Sequence, residues 1–224
     1  MIRKALRVPF ADGRGGKRLF IGGGLLIVSF GIVPLVIVLG YLVRFVEAIV
    51  EDREDFPPSF EYWGLLMSSG VRAFGIAVAY LFVPVVALVW GTFLYLIAPY
   101  NNSVTVAQAR LPLTVAAVLL PVAFYLLPAA LLRYSVDGRF GAGFSSRLVR
   151  FWFSLAYLRS WLVCMVLVIV LHLCALIVAL TAIGVLAVPA VFFYSYLVGM
   201  YVLTTGTRDL LEDISTNTRP GRRT

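Results

Sequence analysis

The run AFGIAVAYLFVPVVALVWGTFLYL, residues 73–96, carries no charged side chain. At about 1.5 Å of rise per residue, a helix of this length reaches across the roughly 30 Å of hydrocarbon in a bilayer. The run is apolar on every side, so no water-facing stripe exists. An open strand could not satisfy its backbone in lipid, which leaves the helix. Residues 113–132, 162–181 and 185–204 repeat the pattern. With 61% hydrophobic and 13% charged residues and a mean hydropathy of +0.96, a water-soluble globule of 224 residues would have nowhere to place its apolar surface. The sequence therefore predicts an all-α, polytopic integral membrane bundle forming a single membrane domain over residues 1–224.

Between the last two runs lie only Ala182, Ile183 and Gly184, so these helices must form a tight antiparallel hairpin. Pro99, Asn101, Asn102 and Pro112 mark the turn of a second hairpin. Working outward, the chain divides into a basic N-terminal segment (1–18), a proline-broken apolar segment (19–49), an acidic interfacial linker (50–72), a helical hairpin (73–132), a basic interfacial linker (133–161), a second hairpin (162–204) and a basic polar tail (205–224).

The first apolar segment admits two readings, because Gly31 and Pro34 interrupt the uncharged residues 19–43. It is either one kinked span or a short wedge whose arms, 19–33 and 34–49, return to the face they entered. Charge discriminates between them. Seventeen of the nineteen basic residues are Arg, and a five-span reading divides the nineteen seven against twelve. The wedge gives eighteen against the single Arg110, with both termini cytoplasmic, and the positive-inside rule favours it. A weak internal repeat agrees: aligning Pro34 with Pro189 superposes Gly40-Tyr41-Leu42-Val43 on Ser195-Tyr196-Leu197-Val198, consistent with three hairpin-like units.

In residues 144–158, Arg147 and Arg150 recur at helical spacing while Leu148, Phe151, Trp152 and Leu155 cover other faces. This stretch is expected to lie flat at headgroup level, and Phe60, Trp63 and Met67 beside Arg72 form a weaker version. The alternative for both is the wet end of the next membrane helix. Arg44, Arg133, Arg147 and Arg150 are the expected contacts to lipid headgroups, each basic residue near an anionic surface contributing about 1 kcal/mol. Anionic membrane lipid is the expected partner. Ala73, Ala77, Ala175 and Ala179 supply small faces on which helices approach closely, holding the bundle together or, alternatively, forming a seam for self-association or another membrane protein.

Chemistry is sparse. His172 is the sole ionisable residue inside the four strong runs, with no membrane carboxylate or second His beside it, and it reads as a neutral histidine bonded to a neighbouring helix. Cys164 and Cys174 stand about 15 Å apart on one helix, beyond disulfide reach, and read as small core residues. Six acids, Glu47, Glu51, Asp52, Glu54, Asp55 and Glu61, fall within fifteen positions without the spacing of an ion-binding loop and read as a solvated charge run. The Asp-Gly-Arg strings at Asp12 and Asp137 read as turns. No triad, metal-ligand set or phosphate-binding fingerprint is present, so no catalytic, cofactor or metal residue is assigned and no enzyme is expected. The basic tail reads as a topology and lipid signal rather than a nucleic-acid grip, and the N-terminal segment as retained.

Lys17-Arg18-Leu19-Phe20-Ile21-Gly22-Gly23, Pro34, Gly40-Tyr41-Leu42-Val43-Arg44, Pro57 through Trp63, Gly70, and Tyr134 through Phe144 together carry a likeness. The chain resembles a prokaryotic, largely archaeal family of small polytopic membrane proteins known only as a domain of unknown function. The resemblance implies a plasma membrane protein of an archaeon or bacterium without an assigned reaction, and it supplies no site residue. The expected role is non-enzymatic, shaping the bilayer or scaffolding other membrane proteins. The alternatives are a permease or channel component with its site at helix breaks near Gly31, Pro34, Gly184 and Pro189, and an interfacial lipid-acting enzyme that holds phosphate with Arg44 or Arg133.

Overall fold

A computed structural model describes residues 2–11, 13–28, 31–52, 57–101 and 105–216. Glu54 and Asp55 of the acidic linker, Asp12, Asn102 and the tail from residue 217 lie outside them. The described residues form nine α-helices: α1 (Ile2–Arg7), α2 (Gly15–Ile27), α3 (Ile32–Val50), α4 (Trp63–Ile97), α5 (Val106–Asp137), α6 (Arg147–Trp152), α7 (Leu155–Ala179), α8 (Ala182–Gly206) and α9 (Arg208–Thr216). Five of these, α3, α4, α5, α7 and α8, are long and apolar enough to cross a membrane.

The four uncharged runs fall inside α4, α5, α7 and α8, but the helices outgrow them. At about 1.5 Å per residue, the 35 residues of α4 extend roughly 52 Å and the 32 of α5 roughly 48 Å, well beyond the hydrocarbon thickness. Local signals set the ends. The Gln108 side chain accepts the Thr105 N–H at 3.1 Å where α5 starts, and Gly138 closes it in the left-handed conformation with φ 69°. The Ser154 hydroxyl caps α7 by accepting the Tyr157 N–H at 3.1 Å, and Thr181 does the same for Gly184 in α8 at 3.0 Å. Pro112, expected in a turn, lies within α5. The residues around Trp63 and Met67 are the first turns of α4 rather than a separate surface helix. Between residues 144 and 158 the chain forms only the short α6 before α7 begins.

The first apolar segment folds back. α2 and α3 are separate helices, α2 ending at Ile27 and α3 beginning at Ile32 directly after Gly31, which has extended backbone (ψ 141°). Pro34 is not the breaking residue: it is the third residue of α3, in the first turn, where an N–H has no intrahelical partner anyway. The decisive contact is at Pro58. Its carbonyl accepts from Arg18 Nε at 3.1 Å and from the Tyr41 hydroxyl at 3.0 Å. A continuous helix would hold residues 18 and 41 about 34 Å apart. They share one oxygen only because the arms turn back on each other.

α3 and α8 occupy the centre. Tyr41, Phe45, Val46, Phe193, Leu197, Val198 and Val202 are fully buried there, and the Tyr41 ring lies 4.2 Å from that of Phe60 and 5.6 Å from that of Phe193. α4 and α5, then α7 and α8, are antiparallel pairs around this centre. Their outer faces are apolar and bare: Phe82, Val89, Leu96, Leu111, Val166 and Leu176 are each more than half exposed. In water such a surface would mark an interface, and in a bilayer acyl chains solvate it.

α3 meets α4 through a reciprocal glycine contact. A Cβ on Gly40 would strike the Leu66 carbonyl, and one on Gly70 would strike the Val36 carbonyl, so both backbones need the missing side chains. Gly40→Ala is therefore expected to lower stability in detergent by about 1–3 kcal/mol. Gly64→Ala, whose added methyl meets nothing within 4 Å, should leave the protein unchanged or slightly more stable. Thermal unfolding of the two variants against the parent protein checks the contrast.

Candidate functional site

The polar segments converge on one end of the bundle. Arg208, which opens α9, pairs with Asp52 just past α3 at 2.5 Å and with Glu212 at 2.8 Å. The Tyr194 hydroxyl of α8 donates to the Leu6 carbonyl of α1 at 2.8 Å, and Arg18 Nη2 donates to the Pro57 carbonyl at 2.8 Å. Beside these, the Tyr134 hydroxyl of α5 donates to the Ser69 carbonyl of α4 at 3.2 Å, and Arg72 Nη1 reaches the Gly138 carbonyl at 3.4 Å. The N-terminal segment, the linker after α3, the end of α5 and the start of α9 are thus held together by long-range polar contacts.

The four arginines expected at headgroups divide into two kinds. Arg147 and Arg150 on α6 are exposed, while Leu148 and Phe151 of the same helix are buried at about 1% exposure. Arg44 is half-buried and bound to Glu47, one helical turn on, at 3.0 Å. Arg133 departs from expectation: it is 2% exposed, and its Nη2 is held by Asp137 at 2.8 Å, so it does not present itself to a surface. The reason is local. Positions i and i+4 on α5 place the carboxylate beside the guanidinium, so the helix supplies its own counter-charge. Arg133 Nε and Nη1 are buried and meet no protein acceptor among the described residues.

The small residues also divide. Ala73 and Ala175 are buried at 0% and 1%, whereas Ala77 and Ala179 are half-buried. Gly184 is the third residue of α8, and the helix continues through Pro189. Cys164 is buried, but Cys174 is exposed rather than in the core. His172 bonds through Nδ1 to the Val168 carbonyl of its own helix at 2.8 Å, not to a neighbour, and stacks on Phe192 at 4.4 Å. The groove beside it is walled by aliphatic groups such as Val168, Ile169, Leu176 and Val188. Among the described residues no group of His, Cys, Asp and Glu is placed to hold a metal ion.

Sequence reasoning does not single out Arg18 or Tyr41 as the closure of the wedge. A signal for the first was available: Arg14, Lys17 and Arg18 stand at i, i+3 and i+4, so they form one cationic stripe at the start of α2.

A helical bundle with five membrane-length helices, lipid-compatible outer faces and its ion pairs gathered at one end is a polytopic integral membrane protein. Residues 24–180, more than half of the chain, match the family described as "Protein of unknown function (DUF4013)", and the chain belongs to that family. No curated protein and no solved structure matches it.

Two outcomes follow from these pairs. Asp137→Ala strands a buried guanidinium and should cost about 3 kcal/mol or more, while Glu212→Ala, at an exposed pair in which Arg208 keeps Asp52, should cost little; unfolding in detergent separates them. Arg208 holds the Asp52 carboxyl below its ordinary value. A folded-state value lowered in this way stabilises above the usual carboxylate range, and the contribution disappears as pH falls through the folded value. The difference in melting temperature between the parent protein and Asp52→Asn should therefore shrink to nothing on acidification below about pH 4.

Proposed function

We propose that this protein is a non-enzymatic component of a prokaryotic plasma membrane that acts on the bilayer itself. It inserts a wedge, the α2–α3 hairpin, from one face of the bilayer and grips anionic headgroups on that face with its basic segments. Both termini lie on the cytoplasmic side. The observation that carries this reading is the shared Pro58 carbonyl, because fold-back of the first segment returns the chain to the face from which it entered. Three further facts support it. Lys4 lies near enough to Asp52 to act on its carboxyl, so the N-terminal segment and the linker after α3 share an end. Arg110 stands near the start of α5, far along that helix from Arg133. Because α2 is shorter than α3, the hairpin adds helix cross-section on the face from which both arms emerge, and basic residues at its rim bind anionic lipid with about 1 kcal/mol each.

The test has two parts. In a variant lacking Cys164 and Cys174, single cysteines at Lys17, Glu51, Asn101 and Ser146 are labelled with an impermeant thiol reagent in sealed vesicles. Lys17, Glu51 and Ser146 should react from one face and Asn101 from the other; labelling of Lys17 and Glu51 from opposite faces overturns the wedge. Reconstitution into vesicles with and without anionic lipid should then show remodelling by electron microscopy that depends on the anionic fraction. Vesicles of unchanged shape at every composition overturn the proposed action.

A further inference from the structure

The end of α2 that closes the wedge also walls a cavity of about 490 Å³, within the range of sites that hold small molecules. One wall is Arg14, at the N-cap of α2, with Lys17, Arg18 and Ile21 of the helix, at i, i+3, i+4 and i+7. The opposite wall is the segment Ser59 to Glu61 with Trp63 at the start of α4. Three cations and one acid, Glu61, therefore meet over a floor that includes an aliphatic and two aromatic side chains.

We propose that this cavity binds the phosphate-bearing headgroup of an anionic lipid. Along α2 the stripe changes from cationic, at Arg14, Lys17 and Arg18, to apolar at Ile21, and the next residue outward from the stripe, Phe20, is 82% exposed. That order, charge first and then hydrocarbon, is the order of groups along a phospholipid from its phosphate into its acyl chains. Free phosphate would use only the upper half of such a wall. Arg18 is the preorganised member. It is 5% exposed, and its Nε and Nη2 are fixed by the Pro58 and Pro57 carbonyls. Lys17 and Arg14 are exposed beside it. Trp63, 46% exposed at the start of α4, has the amphipathic ring suited to the headgroup boundary. Glu61 opposes an anion in the same place, which gives the site a built-in test of sign.

The proposal rests on reading this end of the bundle as the headgroup-facing one, but it is measured without a bilayer. Native mass spectrometry of detergent-solubilised protein counts bound short-chain phosphatidylglycerol, with phosphatidylcholine of the same chain length as the uncharged comparison. Arg14→Gln/Lys17→Gln should weaken phosphatidylglycerol binding by roughly tenfold or more, while Arg110→Gln/Arg139→Gln, an equal loss of charge elsewhere, should not. Glu61→Gln should strengthen it, so the sign can be read even if the double variant folds poorly. Equal binding of both lipids, or no response to either set of changes at the cavity, overturns the proposal. Displacement of the lipid by millimolar inorganic phosphate would overturn the lipid assignment in favour of a free-anion site. Lost binding alongside intact vesicle remodelling would remove this cavity alone, and the converse would remove the bilayer-shaping reading alone.

Discussion

The carbonyl oxygen of Pro58 accepts two hydrogen bonds, from Arg18 and from Tyr41, and the arrangement of the N-terminal third of the molecule depends on that oxygen. Proline supplies it under favourable terms. Pro57 and Pro58 have no N–H of their own to satisfy, and their fixed φ holds the chain extended, so their carbonyls turn outward toward donors. Tyr41 brings the donor from the buried face of α3, and Phe60, two residues past the acceptor, stacks on the Tyr41 ring at 4.2 Å. Hydrogen bond and ring contact reinforce each other: the stack positions the linker, and the linker then offers its carbonyls to Arg18. The Pro57 and Pro58 carbonyls offset part of the cost of burying the Arg18 guanidinium.

From that point the packing is set by glycine. With α3 held against the linker, the pair Gly40 and Gly70 lets α3 and α4 approach until their backbones touch, so the first turns of α4 run beside α3 rather than through lipid. This explains why α4 begins at Trp63 even though its uncharged run begins at Ala73. Residues 63–72 hold Ser68, Ser69 and Arg72 and would not be chosen as hydrocarbon-embedded helix. They are helical because Leu66, Ser69 and Gly70 are buried against a neighbouring helix. The long hairpin of α4 and α5 is anchored at this polar end and reaches into the apolar region with its outer faces uncovered.

Much of this was legible from residue patterns, and the gaps have physical causes. Uncharged length locates α4, α5, α7 and α8, because a bilayer imposes a length and forbids unpaired backbone. Helix ends were harder: Pro112 reads as a turn residue, yet it lies within the first two turns of α5. Fold-back of the first segment followed from the charge count, but the breaking residue did not. Proline draws attention, whereas it is Gly31, extended before α3, that marks where the helix resumes. Arg147 and Arg150 were recognisable from their spacing opposite buried Leu148 and Phe151. Arg133 reads as a surface residue because the informative residue is its partner, Asp137, one turn away in a string that reads as a turn.

Arginine thus serves two ends of the same chemistry in this chain. Arg133 and Arg44 meet carboxylates supplied by their own helices, Asp137 and Glu47, and Arg208 meets Asp52 across the bundle. Each such pair consumes one acid and one base, so pairing leaves the difference between them untouched. The chain holds nineteen basic residues against eleven acids, and all of the basic residues but Arg44 and Arg110 sit in the polar segments. Internal pairing of every acid would still leave a cationic excess. That excess cannot be satisfied within the protein, because carbonyls and rings supply partial charges only. It is balanced by anions from outside, and the headgroup contacts proposed above would supply part of them.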